Sequence, residues 1–138
     1  GRTQERFHHI KHLPAVPSEE LAALLRQHDV YITASERDPC SNSLVEAMAC
    51  GLPVVSTNCP SGPREMIDSG VDGVLVPSQD PLALGAAINQ MIDRGPTGRQ
   101  EMGEAGLART RRLSQAVVAQ RWEDLFSKLL TQRRASGE

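Results

Sequence analysis

Long apolar runs, clustered cysteines and an excess of positive charge are all absent from this sequence. No run approaches the roughly eighteen apolar residues that a membrane-spanning helix needs. The 15 Lys and Arg are balanced by 17 Asp and Glu, which argues against a protein built mainly to hold nucleic acid. The spacing of Cys40, Cys50 and Cys59 matches neither a CxxC metal knuckle nor a disulfide framework, so we expect reduced cytosolic thiols and no metal site.

The N-terminal segment, GRTQERFHH, has neither an initiator Met nor the apolar stretch of a signal peptide. We therefore interpret the chain as part of a longer protein. Its 138 residues, 39% hydrophobic and 23% charged, are typical of one globular domain with a single core. The four histidines are expected at the surface rather than on a metal: His8, His9, His12 and His28.

Short apolar runs alternate with helical patterns from Ser18 onwards. The runs at 30–34, 54–57 and 74–76 predict strands, and Asp80 followed by Pro81 predicts a helix start. Helices are predicted from Ser18 to about 28, at 42–50, 64–69, about 81–92, 99–108 and about 114–133, with a loop at 95–98. This order predicts an α/β class, a Rossmann-like parallel sheet with helices on both faces, formed by residues 1–130 and followed by a polar, frayed tail at 131–138.

Two polar loops follow the first two predicted strands, at 35–42 and 57–63. In an open parallel sheet, ligands bind outside the carboxyl ends of the strands. The first loop leads directly into a helix, whose first backbone N–H groups should point into the crevice with the positive end of the helix dipole behind them. The sequence therefore predicts an anion site, with phosphate as its commonest occupant, at the amides of Asn42, Ser43 and Leu44.

Two acids flank this predicted anion site. Glu46 lies one helical turn in and could accept two hydrogen bonds from a vicinal diol such as ribose, while Asp38 lies in the loop on the other side. A nucleotide-sugar would fit between them. In the alternative interpretation, Asp38 and Ser41 cap the helix and Glu46 is a solvated first-turn acid. The spacing alone favours neither interpretation.

A longer run of residues resembles a known family. The run at 38–55 reads DPCSNSLVEAMACGLPVV, and it is followed by CPSGPRE at 59–65 and GVLVP at 73–77 before Asp80. Over roughly residues 30–130 this order resembles the C-terminal donor-binding domain of family 4 retaining glycosyltransferases of the GT-B fold. The resemblance implies two acids separated by seven residues, a spacing that Asp38 and Glu46 hold.

The resemblance also implies a role for each site residue. Glu46 would bind the nucleotide ribose, and Asp38 would contact the donor sugar with Ser41 beside it. Many members carry Glu at the position of Asp38 and Gly at the position of Ser41. Glu65 resembles an acid of a second loop that faces the same cleft, although a first-turn helix acid explains it equally well. The amides that hold the diphosphate would be those of Asn42, Ser43 and Leu44.

Family members also carry a basic pair on an earlier segment and an N-terminal acceptor-binding domain, and this sequence includes neither. The catalytic residues are therefore left unassigned. We expect the chain alone to bind a nucleotide weakly and to turn nothing over, because charge developing on the departing diphosphate needs preorganised positive groups.

The resemblance implies a metal-independent hexosyltransferase of polysaccharide biosynthesis that uses no cofactor. Its substrate would be a nucleotide-sugar, with a UDP-sugar favoured, and its acceptor a glycan or a lipid-linked glycan. The expected location is the cytoplasm, where the basic and apolar last helix would face the N-terminal domain or the inner surface of the membrane. The alternatives are a nucleotide-sugar epimerase of related fold and a non-catalytic nucleotide-binding relic. A phospho-receiver domain is disfavoured, because Lys128 lies deep in the last helix.

Overall fold

A computed structural model describes residues 10–39 and 41–136 of the chain, so His8, His9 and Cys40 lie outside the described residues. Six α-helices and three strands are found in these ranges. Their order is α1 (Ser18–Leu25), β1 (Tyr31–Thr33), α2 (Asn42–Ala49), β2 (Val54–Thr57), α3 (Pro63–Met66), β3 (Val74–Val76), α4 (Pro81–Asp93), α5 (Gly95–Thr110) and α6 (Gln115–Ser136). A short 3₁₀ turn, Arg111–Leu113, joins α5 to α6.

The three strands form one parallel sheet in the order β1-β2-β3. Parallel neighbours require crossover connections, and the helices between the strands supply them. All four residues of the central strand β2 are buried. Burial on both faces is what a sheet covered by helices on each side demands. The predicted α/β class with a parallel sheet is thus confirmed.

The core divides into two clusters, one on each face of the sheet. Val54 of β2 packs with Leu44 and Met48 of α2, all three at most 1% exposed. The next residue, Val55, points to the other face and packs with Met91 of α4 and Met102 of α5. This alternation follows from the strand geometry, because successive side chains leave a strand on opposite sides. The central strand β2, which follows α2, is therefore packed by helices on both faces.

An ion pair ties α5 to the turn before β3. The guanidinium of Arg109 donates to the carboxylate of Asp72, which is only 3% exposed, and it lies 3.6 Å from Asp68. Asp72 also accepts a hydrogen bond of 2.7 Å from the backbone N–H of Asp68. The buried carboxylate is thus satisfied by a charged partner and by a backbone donor.

Several boundaries differ from the prediction. The loop predicted at 95–98 is wrong, because α5 begins at Gly95 and its Pro96 occupies the first turn, where a proline has no N–H bond to lose. The short helix predicted at 64–69 ends earlier, since Ile67 is already extended. Residues 131–136 continue α6 as a helix and are not a frayed tail. The helix start at Pro81 is confirmed, and the Asp80 carboxylate accepts the Ala83 N–H at 2.9 Å.

The last helix presents an apolar stripe to solvent. Its rings of Trp122 and Phe126 stack with centroids 5.6 Å apart and are 54% and 55% exposed. The other exposed apolar side chains of this helix are those of Val117, Val118, Leu125, Leu129 and Leu130. Within the described ranges, no helix combines the length and the apolar character needed to cross a membrane.

Candidate functional site

The loops after β1 and β2 meet at the carboxyl edge of the sheet. Gly62 has φ +72°, and a Cβ at this position would overlap the backbone carbonyl oxygen of Asp38. The hydroxyl of Thr57 donates to the carbonyl oxygen of Ser35 at 2.5 Å, which makes a second link between the loops. The two polar loops singled out in the sequence therefore form one continuous surface.

Asp38 is half-buried in this surface and is held by Ser41. The hydroxyl of Ser41 donates to Oδ2 of Asp38 at 2.5 Å, and Ser41 itself is 2% exposed. Ser41 occupies the N-cap position of α2 but makes no side-chain capping bond. The capping interpretation of Ser41 is therefore wrong, because its hydroxyl oxygen accepts no backbone N–H of the first turn of α2, and the hydroxyl donates to Asp38 instead.

The first turn of α2 opens onto the same surface. The first N–H bonded within the helix is that of Val45, to the carbonyl of Ser41 at 3.0 Å. The amides of residues 42–44 come before it, where a helix provides no carbonyl partner of its own. Asn42 and Ser43 are exposed, whereas the side chain of Leu44 is fully buried in the core. Leu44 can therefore serve a ligand only through its backbone.

Glu46 is exposed on α2, at the rim of a hollow between α1 and α2. The first turn of α2 contains no acidic residue, so the interpretation of Glu46 as a first-turn acid does not hold. The hollow has a volume of about 270 Å³, and Leu21, Ala22 and Leu25 contribute its apolar wall. An exposed carboxylate beside an apolar wall can accept hydrogen bonds from hydroxyl groups while the wall packs against a planar ring.

Tyr31 was not singled out from the sequence, yet its hydroxyl reaches the first turn of α2. It donates to Oγ of Ser43 at 2.8 Å, across twelve positions of the chain. A lone tyrosine at a strand start was the only signal available, and it did not reveal this contact.

Glu65 lies in the first turn of α3 and is exposed. The preceding loop is braced by Arg64, whose Nε donates to Oδ1 of Asn58 at 3.2 Å. The first-turn interpretation of Glu65 is confirmed, and its role in a ligand cleft stays a prediction.

A second cavity, of about 230 Å³, opens on the α4 side of the sheet edge. Gln79, with φ +62°, donates to Oε1 of Glu36 at 3.4 Å across its mouth. Nowhere in the described ranges do three or more His, Cys, Asp or Glu side chains come together as a potential metal site.

Comparisons with known proteins agree with the resemblance. The sequence profile described as "Glycosyl transferases group 1" matches residues 2–94. The chain is 32% identical over 119 residues to D-inositol 3-phosphate glycosyltransferase of Corynebacterium diphtheriae, a match that covers 86% of this chain and 27% of that protein.

Solved structures agree as well. Sucrose-phosphate synthase from Thermosynechococcus elongatus superimposes with a TM-score of 0.83 and 25% identity, covering 95% of this chain and 33% of that one. Anabaena Alr3699/HepE in complex with UDP superimposes with a TM-score of 0.69 and 25% identity, and the match covers 76% of this chain and 29% of that one. The chain thus spans a third or less of the length of these relatives. By sequence and by its GT-B-type α/β fold, the chain belongs to the group 1 glycosyl transferases.

Proposed function

We propose that this domain binds the nucleoside-diphosphate sugar of a retaining glycosyltransferase, with a UDP-sugar as the donor. The whole protein would transfer the sugar to a glycan or a lipid-linked glycan. The observation that carries the proposal is the N-terminus of α2, which opens at the sheet edge with Asp38 before it and Glu46 one turn beyond it.

The diphosphate would lie against the first turn of α2. The amides of residues 42–44 supply donors, and the helix dipole adds about half a positive charge at this end. The hydroxyl of Ser43 is exposed in the same turn and adds a side-chain donor. These groups offset part of the charge of a diphosphate, so we expect binding by this domain without catalysis.

The nucleoside would lie at the hollow between α1 and α2. The carboxylate of Glu46 can accept both hydroxyls of a ribose, and the wall formed by Leu21 and Leu25 offers an apolar surface to a base. UDP is assigned as the nucleotide because HepE, at 25% identity, was solved in complex with UDP and with UDP-glucose.

The sugar would lie beside Asp38. Because Oδ2 accepts the Ser41 hydroxyl, Oδ1 is the oxygen that we assign to a sugar hydroxyl. In this proposal Ser41 belongs to the sugar subsite as the residue that orients Asp38. In this proposal Glu65 lies at the outer side of the same subsite, in α3, directly after the loop that touches Asp38 through Gly62.

The apolar stripe of α6 would pack against the remainder of the protein. The relatives are about three times as long as this chain, which leaves a large partner within the same polypeptide. Exposed Trp122 and Phe126 are typical of a surface that is covered in an assembly. Binding of the full-length protein to anionic vesicles would instead favour the membrane as the partner.

Ligand-detected NMR tests the proposal on the 138-residue chain. UDP, GDP, ADP and UDP-glucose are titrated against the chain, its Glu46→Ala variant and a Glu123→Ala control on α6. We expect UDP and UDP-glucose to bind, Glu46→Ala to abolish binding and Glu123→Ala to retain it.

Unchanged UDP binding by Glu46→Ala would refute the ribose assignment. Preference for GDP or ADP would refute UDP as the donor nucleotide. A folded chain and a full-length protein that both bind no nucleotide would refute the donor site as a whole.

A further inference from the structure

Tyr31 joins the core of the domain to the first turn of α2. It is the only tyrosine of the chain, at the start of β1, and its side chain packs against the cluster that contains Leu44, Met48 and Val54. Its hydroxyl emerges from this cluster and donates to Oγ of Ser43 at 2.8 Å. Tyrosine suits such a place, because its ring is apolar and its tip is polar.

The direction of this hydrogen bond determines what Ser43 can offer to a ligand. A serine hydroxyl has one hydrogen and two acceptor lone pairs. Because Oγ of Ser43 accepts the hydrogen of Tyr31, the hydrogen of Ser43 itself is left to point away from the tyrosine. Ser43 is exposed, so this hydrogen is available to a ligand at the first turn of α2.

We infer that Tyr31 is a positioning residue of the diphosphate subsite. By donating to Oγ of Ser43, it fixes this hydroxyl as a donor towards a phosphate oxygen. A hydroxyl that accepts one hydrogen bond is also polarised and becomes a better donor in the next. The inference rests on the proposed function, since it requires a diphosphate at the N-terminus of α2.

A merely structural role of Tyr31 predicts a different behaviour. If the Tyr31 hydroxyl only ties β1 to α2, its removal lowers thermal stability and weakens all ligands of the domain by the same factor. If it orients Ser43, its removal weakens only those ligands that carry phosphates. The ratio of the affinities for UDP and for uridine separates the two roles.

The test is a double-mutant cycle on the 138-residue chain with Tyr31→Phe, Ser43→Ala and both together, and with Thr131→Val on α6 as a hydroxyl-deletion control. The dissociation constants of UDP and uridine are measured by NMR titration, and folding is checked by thermal unfolding. We expect Tyr31→Phe to weaken UDP about three- to tenfold and uridine not at all. The double variant should bind UDP no more weakly than Ser43→Ala alone.

Several results would overturn the inference. These are an unchanged UDP affinity in Tyr31→Phe, an equal loss for UDP and uridine, and additive losses in the double variant. If Tyr31→Phe does not fold, Ser43→Ala alone must show the phosphate-specific loss, and its absence would refute the role. If neither the folded wild-type chain nor the full-length protein binds UDP, the proposed function is refuted, and the inference with it. If only the full-length protein binds UDP, the same cycle is measured on that protein.

Discussion

Substituting Gly62 by Ala should separate the two loops that carry the proposed sugar subsite. The position has φ +72°, and a Cβ there would overlap the carbonyl oxygen of Asp38. With ψ −102°, Gly62 has a backbone conformation that other residues rarely adopt, and imposing it on alanine costs about 1–3 kcal/mol. The overlap adds about 1–3 kcal/mol, as overpacking does, because a backbone atom cannot rotate away as a side chain can. We therefore expect a loss of about 2–6 kcal/mol in the free energy of unfolding.

Gly51→Ala is a control for this substitution at a second glycine with positive φ. Gly51 has φ +79°, and a Cβ there would meet no atom within 4 Å. The free energy of unfolding of Gly51→Ala should therefore fall by only about 1–2 kcal/mol, the cost of the backbone conformation. A larger loss for Gly62→Ala than for Gly51→Ala in urea unfolding reports the contact with Asp38 together with the rarer backbone conformation of Gly62.

The same pair of variants tests the position of Asp38. The added Cβ of Gly62→Ala should push Asp38 outward. The affinity of this variant for UDP-glucose should therefore fall about tenfold more than its affinity for UDP. Gly51→Ala should change neither affinity. Equal stabilities of the two variants, with equal affinities for both ligands, would show that the loops do not touch as described.

Two further substitutions test the interactions that hold the sheet edge. Arg109→Ala should lower the free energy of unfolding by about 2–3 kcal/mol, because it leaves the buried Asp72 without its charged partner. Because Arg109 is 34% exposed, the effect should be smaller than that of breaking a fully buried pair. As a control in the same urea unfolding experiment, Arg111→Ala at an exposed position should change the free energy of unfolding by less than about 0.5 kcal/mol. Ser41→Ala should cost about 1 kcal/mol and should weaken UDP-glucose more than UDP in NMR titrations, since Asp38 loses its hydrogen bond. Equal weakening of both ligands would contradict the orienting role of Ser41, and an Arg109→Ala variant as stable as wild type would contradict the pairing with Asp72.

The sequence predicted those features that depend on neighbours along the chain. The β2 strand and the helix start at Asp80 and Pro81 follow from local patterns of apolar residues and from capping chemistry. The start of α5 was missed although its signals are local too. A Gly-Pro pair such as Gly95 and Pro96 is typical of loops, but it is equally compatible with a helix whose first turn contains the proline.

Contacts between distant segments could not be predicted in this way. The approach of Gly62 to Asp38 and the hydrogen bond from Tyr31 to Ser43 depend on how β1, β2 and α2 pack together. A glycine in a loop has several explanations before its neighbours are known. The meeting of the two polar loops could therefore be predicted from the strand ends, whereas the contacts made by Gly62 and Tyr31 could not.

Burial separates four of the predicted site residues into two pairs that mutagenesis will report differently. Ser43 and Glu46 are exposed, so their substitution should alter ligand affinity with little effect on folding. Ser41 and Leu44 are buried, and their substitution should change stability as well. A loss of binding at Ser41 therefore counts as evidence for the site only when the variant is shown to be folded at the titration temperature, whereas a loss at Glu46 bears on the ligand directly.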